Sequence, residues 1–177
     1  MSGIAEADET CVLKSCNGQQ TLLRKAHHKA RRRGGRATRR GMSIEHDVVL
    51  AVRDRSGATT DQIVRALDTA HLAAVLQPTL PRDAVLCTDG SAGLAAAARH
   101  IGVQHHAINF SADQRALGAW HINNVNGHHG RLKNWLRRFN GVASSYLRNY
   151  LGWFRALDRF SSNGLKPAAL LTLAVGV

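Results

Sequence analysis

The last third of the chain carries its strongest structural signal. Ile122, Val125, Leu132, Leu136 and Phe139 recur at intervals of three, four and seven, and Leu147, Tyr150, Leu151, Phe154 and Leu157 repeat the pattern. Such spacing lays apolar side chains along one face of a helix. Two amphipathic helices are therefore expected, divided near Gly141, and each must bury its face against another element. Gly127 and Gly130 would each cost about 1 kcal/mol inside a helix, so the first helix is expected to begin only beyond one of them. The second should stop at Asn163-Gly164, with Pro167 just past the end.

Upstream, the run Val48 to Val52 between His46 and Arg53 is rich in β-branched residues, and Asp54-Arg55-Ser56-Gly57 closes it. This reads as a central strand and a hairpin turn into a second strand around Ala58 to Val64. Gly3 to Leu13, where an acidic cluster adjoins Cys11, Val12 and Leu13, suits a short strand or a strand end. Leu72, Val75 and Leu76 sit at helical spacing in a segment that Pro78 ends. Ala84 to Cys87 forms a short apolar run stopping at Thr88-Asp89-Gly90, the alanine-rich Ala92 to Ile101 predicts a helix, and Val103 to Phe110 a further strand. Strands first, then helix and strand in alternation, is the pattern of a mixed α/β layer. At 177 residues the chain has room for one domain with an ordinary core and not for a second independent one.

The charge is uneven. Lys plus Arg number 24 against 12 for Asp plus Glu, a net +12, and such an excess implies a polyanionic partner. Much of it sits in a segment from Arg24 to Arg40, where Arg31, Arg32, Arg33, Arg36, Arg39 and Arg40 surround Gly34 and Gly35 with almost nothing apolar to bury. This is expected to be a solvated arm whose local field condenses on phosphates. Cys11, Cys16 and Cys87 are odd in number and contain no CxxC pair, which argues against a disulfide framework or a zinc ribbon and for a reducing cytoplasm. The most apolar stretch, Leu165 to Val177, contains Pro167 and is shorter than the roughly 20 residues of a spanning helix. Glu6, Asp8 and Glu9 occupy the place of a signal peptide's basic and apolar regions, so neither a membrane role nor a signal peptide is expected.

Four residues stand out as candidates for chemistry. Asp89 ends an apolar run at a glycine turn, where an α/β sheet presents carboxylates to a cleft; the same Thr-Asp-Gly turn caps a helix or a turn in many proteins. Asp8 lies beside Glu9 on a strand-like segment, and the two together resemble an ordinary surface acidic pair. Asn126 and Lys133 are seven apart, so two helical turns return them to nearly one face with Arg137 behind, at the edge of the apolar stripe. The ten histidines include the adjacent pairs His27-His28, His105-His106 and His128-His129. Neighbours in a strand or helix point in different directions and rarely chelate one ion.

Taken together, these segments resemble the ISXO-like DDE transposases of bacterial insertion sequences. The resemblance runs through GIAEADET at Gly3 to Thr10, HHKARRRGGRATRRGMS at His27 to Ser43, VRDRSGATTD at Val52 to Asp61 and VLCTDGSAGL at Val85 to Leu94. It continues through HINNVNGHHGRLKNWLRRFNGV at His121 to Val142 and YLRNYLGWFRALDRF at Tyr146 to Phe160. Each motif is modest alone; their order and spacing are specific. Cys11 stands where the family usually has an aromatic residue, and Leu94 where it often has tyrosine.

The resemblance implies an RNase H-like α/β fold: a mixed sheet flanked by helices, with a C-terminal helical pair. It implies a catalytic domain over 1–160, the basic arm 24–40 as a loop insertion, and a tail over 161–177. It assigns the catalytic positions to Asp8, Asp89, Asn126 (in the variant where asparagine replaces the third acid) and Lys133, with Asp8, Asp89 and Asn126 toward Mg²⁺ or Mn²⁺. Two such ions about 3.5 to 4 Å apart serve the attacking and leaving oxygens of a displacement, and hard cations take oxygen ligands. Lys133 would contact a phosphate as a point charge. The arginine arm and Arg137 would hold the DNA backbone without reading sequence. DNA is then the partner, as element ends and as target, with a homodimer or larger assembly in the active complex. The chain begins seven positions before Asp8, so the N-terminal region that recognises element ends in such transposases is expected to be missing. The competing expectations are an inactive truncated remnant that only binds DNA and, ranked last, a basic RNA-binding module.

Overall fold

The computed structural model describes residues 1–16, 37–38, 42–108, 116 and 118–162. Five strands form one mixed sheet in the order β3-β2-β1-β4-β5. They are β1 (Ile4–Leu13), β2 (His46–Asp54), β3 (Thr59–Val64), β4 (Val85–Thr88) and β5 (Gln104–Ala107). The helices are α1 (Thr69–Leu76), α2 (Ala92–Ile101), α3 (Asn123–Arg137) and α4 (Leu147–Ser162), with a single 3₁₀ turn at Ser144–Tyr146 before α4. β1, β2 and β3 run antiparallel in sequence, while β4 is parallel to β1 and β5 to β4. This is an α/β fold compatible with an RNase H-like core.

β1 sits at the centre, and here the structure corrects the sequence reading. The segment expected to be a short strand or a strand end spans ten residues and pairs with β2 from Ala5 to Leu13 and with β4 from Ile4 to Glu6. Its alternation decides the two faces. Ala5 and Ala7 join Leu50, Val52 and Leu86 beneath Leu72, Leu76, Leu94, Ala97 and Ala98 of α1 and α2. On the opposite face Val49 packs with Leu132, Leu136, Leu147, Leu151 and Phe154, and Ala51 and Cys87 with Ile122 and Val125. The sheet is thus covered on both sides, which is why β2 is a nearly continuous apolar run.

The helix α3 begins at Asn123 and runs through both Gly127 and Gly130, so the expectation of a later start is not met. Its first turn is held from outside the helix, as described below. β2 and the hairpin into β3 match the expectation within a residue, and α2 matches it at both ends. The expected end of α4 at Asn163-Gly164 and the six arginines of the basic arm lie outside the described residues.

Candidate metal centre

The register of β1 against β4 places Glu6 opposite Cys87. Carried two residues further, the same offset sets Asp8 abreast of Asp89 at one end of the sheet. β4 stops at Thr88 because Asp89 starts a tight turn. Its Oδ1 accepts the Ser91 amide at 2.9 Å, Gly90 takes a φ of +84° that suits glycine, and Ser91 caps α2 by accepting from the Leu94 amide. Asp89 therefore serves the turn and remains exposed beyond it. One carboxylate oxygen from each of Asp8, Glu9 and Asp89 lies within 4.8 Å of the others.

Three carboxylates this close repel one another. The Glu9 carboxyl is pushed up to about 7, first by burial and then by the charges of Asp8 and Asp89. The donor set suits a hard divalent cation, which takes carboxylate oxygens and supplies the positive charge that would offset this repulsion. Two oxygens on one octahedral Mg²⁺ lie about 3 Å apart when adjacent and about 4.2 Å apart when opposite, so side-chain rotation would have to draw the set closer around an ion.

Because the folded chain holds the Glu9 proton more tightly than the unfolded chain, the penalty is absent well below pH 4.5 and complete above about pH 7. Glu9→Gln is therefore expected to raise the unfolding midpoint of the metal-free chain at about pH 8 and to leave it nearly unchanged at about pH 4. Thermal melts in EDTA at the two pH values check this, and an equal shift at both would contradict the repulsion.

Across this end of the sheet lies α3, and its placement is set by β1. Glu6 is fully buried. Its Oε2 accepts the backbone amides of Asn124 and Val125 at 2.8 and 2.9 Å, and its Oε1 accepts from Asn124 Nδ2 and from Arg55. The first amides of a helix have no partner within it, and the local N-cap, Ile122, makes no side-chain cap bond. A strand carboxylate therefore caps α3, in the position where negative charge also favours the helix dipole.

From that anchor α3 follows β1. Four helical residues rise about 6 Å and two strand residues about 6.7 Å, so contacts step together along the two elements. Val125 meets Glu6, and four residues on His129, 6% exposed, sets Nδ1 3.4 Å from Asp8 Oδ2. The Lys133 ammonium lies within electrostatic reach of Cys11, whose thiol burial pushes up and Lys133 draws down. At about 100° per residue, Asn126, Lys133 and Arg137 share the α3 flank of His129 and turn away from that of His128. All three are exposed. Asp8 is met by His129 and Asp89 by Ser91, not by Asn126.

The structure thus brings Asp8 and Asp89 together, adds Glu9, and sets Asn126 and Lys133 on the α3 flank that carries His129. Glu9 and His129 were not singled out from sequence as site residues. The only signals for them were the adjacency of Glu9 to Asp8 and the three-residue spacing of His129 from Asn126. The adjacent histidines do diverge. His128 turns to Asp61 and Asp158, His105 bonds Thr88, and His106 stacks on Trp120 at 4.2 Å; His27 and His28 lie outside the described residues.

Among the described residues no helix is long and apolar enough to cross a membrane. No curated protein matches the sequence. The family model of the ISXO2-like transposase domain matches residues 1–155, a span that contains the whole sheet, the acidic cluster and α3. The chain belongs to the ISXO2-like transposase domain family.

Proposed function

We propose that this chain carries out DNA transposition chemistry: metal-dependent cutting at the ends of an insertion sequence and joining of the freed 3′-hydroxyl to target DNA. The observation that carries the reading is the meeting of Asp8 and Asp89, 81 residues apart in sequence, with their carboxylate oxygens within 4.8 Å. Asp8 and Asp89 would hold Mg²⁺ or Mn²⁺, and Glu9 supplies a third carboxylate beside them. Bound there, the cation would polarise the scissile phosphate and favour the deprotonated form of the attacking oxygen. Asn126 offers a neutral carbonyl oxygen from α3, and the exposed Lys133 an ammonium for a phosphate near the reacting bond. His129 restrains Asp8 from the helix side, so that its carboxylate presents the same edge to the cluster.

The test is strand transfer by the purified chain on a pre-cleaved element end, in Mg²⁺ or Mn²⁺, with Asp89→Ala beside it. Product from the wild-type chain and none from the variant is expected. DNA binding without product from either would favour the second reading, an inactive remnant that only binds DNA. That reading draws on Asn126, an exposed neutral group that bonds neither aspartate.

A further inference from the structure

The far edge of the sheet from the acidic cluster ends in β3, whose outer side no described strand covers. Two open cavities of about 450 and 420 Å³ lie along it and share Thr60 and Arg155. Together they form one groove between β3 and α4. Its α4 wall is Arg148, Gly152, Arg155 and Arg159, spaced by four, three and four, which is a single stripe on a helix. The only acid lining it is Asp61, whose side chain is fully buried and paired with Arg155. Arg148 and Arg159 are exposed and have no carboxylate partner among the described residues. Gly152 lies between them with no side chain to close the groove. The opposite wall is the uncovered edge of β3 from Thr59 to Ile63.

We propose that this groove is a second DNA contact, a track for the phosphate backbone that lies apart from the acidic cluster; the assignment rests on the transposition reading above. Among the described residues, two guanidinium groups without a carboxylate partner flank a third, and the one acid in the groove is already paired with Arg155, which is the chemistry of a phosphate ester and not of a protein acid pair. From Arg148 to Arg159 the helix rises about 16 Å, close to half of the ~34 Å turn of a DNA duplex. Asp61 and Asp8 each pair with Ala51, on opposite sides of β2, so the groove and the acidic cluster are joined by one row of the sheet about 10 Å long. A duplex gripped at β3 would be held in fixed register to the reacting end.

The experiment is duplex DNA binding by the full chain, read by fluorescence anisotropy between about 50 and 200 mM salt, because each lost phosphate contact flattens the slope of log K against log salt by about 0.9. Arg148→Ala with Arg159→Ala is expected to reduce that slope by about 2, with an unchanged unfolding midpoint. Gly152→Asp, where an added Cβ meets only the Arg155 side chain at 3.8 Å, puts a carboxylate into the groove and is expected to weaken binding in the same direction. A wild-type slope in both variants would overturn the groove while leaving the transposition reading in place. A wild-type chain that binds no duplex at all would overturn both. Unchanged DNA binding with loss of a dimer in sedimentation would also overturn the groove, by assigning it to a second copy of the chain.

Discussion

Replacing Glu6 by alanine is expected to destabilise the folded chain by about 3–5 kcal/mol, the range found when one member of a buried charged pair is removed. The carboxylate is fully buried and meets Arg55, two first-turn amides of α3 and the Asn124 side chain. Alanine leaves the two amides and the Asn124 side chain without this acceptor and Arg55 without its carboxylate, with only the Ala119 carbonyl and His121 beside it. Loss of an ordinary helix cap costs about 1 kcal/mol, so an effect of that size alone would mean that water or a neighbouring group replaces Glu6 readily. Urea unfolding at neutral pH measures the difference. Glu6→Gln keeps the shape and one acceptor oxygen, and it should retain part of the stability lost in alanine.

The same substitution would reach the proposed reaction without touching its groups. Glu6 is two residues before Asp8 on β1, and its partner Val125 immediately precedes Asn126 on α3. A frayed first turn would loosen Asn126 and leave His129 free to move off Asp8. Glu6→Gln is therefore the informative variant for strand transfer, since it stays folded while altering the hold on α3.

What could be read from the sequence, and what could not, divides by distance along the chain. β2 and α2 were legible because their apolar patterns repeat within ten residues, and Asp54 to Gly57 and Asp89-Gly90 mark the turns beside them. β1 was underestimated because Glu6 and Asp8 interrupt its apolar residues. Only the pairing to strands that come 40 to 80 residues later turns those acids into buried and half-buried positions. The early start of α3 was hidden for the same reason: its cap lies 118 residues upstream. The meeting of Asp8 and Asp89 follows from strand register, which no local pattern contains. Their selection from sequence rested on family resemblance and, for Asp89, on its place at a strand end.

A second consequence of long-range pairing concerns Asp158, for which the expected loss on substitution by alanine is again about 3–5 kcal/mol, or an unfolding midpoint lower by roughly 10 °C in a chain of this size. Asp158 on α4 accepts from Arg53 at 2.8 Å, from Arg131 at 2.6 Å and from His128 at 3.4 Å, so one carboxylate ties β2, α3 and α4 together. Arg53 is only 8% exposed and would be left nearly dry, with the Thr59 hydroxyl in place of a carboxylate. Burial works to raise the Asp158 carboxyl, but the hydrogen bonds and charge of Arg131, with Arg53 and His128, outweigh it and hold the carboxyl down to about 2. A carboxyl lowered in the folded state adds stability that is complete above its unfolded value near 4 and is lost as the pH falls through about 2. The shift from 3.8 corresponds to about 2 kcal/mol. The gap between wild type and Asp158→Ala should therefore be widest at neutral pH and shrink by about that amount toward pH 2. Urea midpoints at several pH values test it. A gap independent of pH would mean that the lost packing of α4, and not the ion pairs, sets the cost.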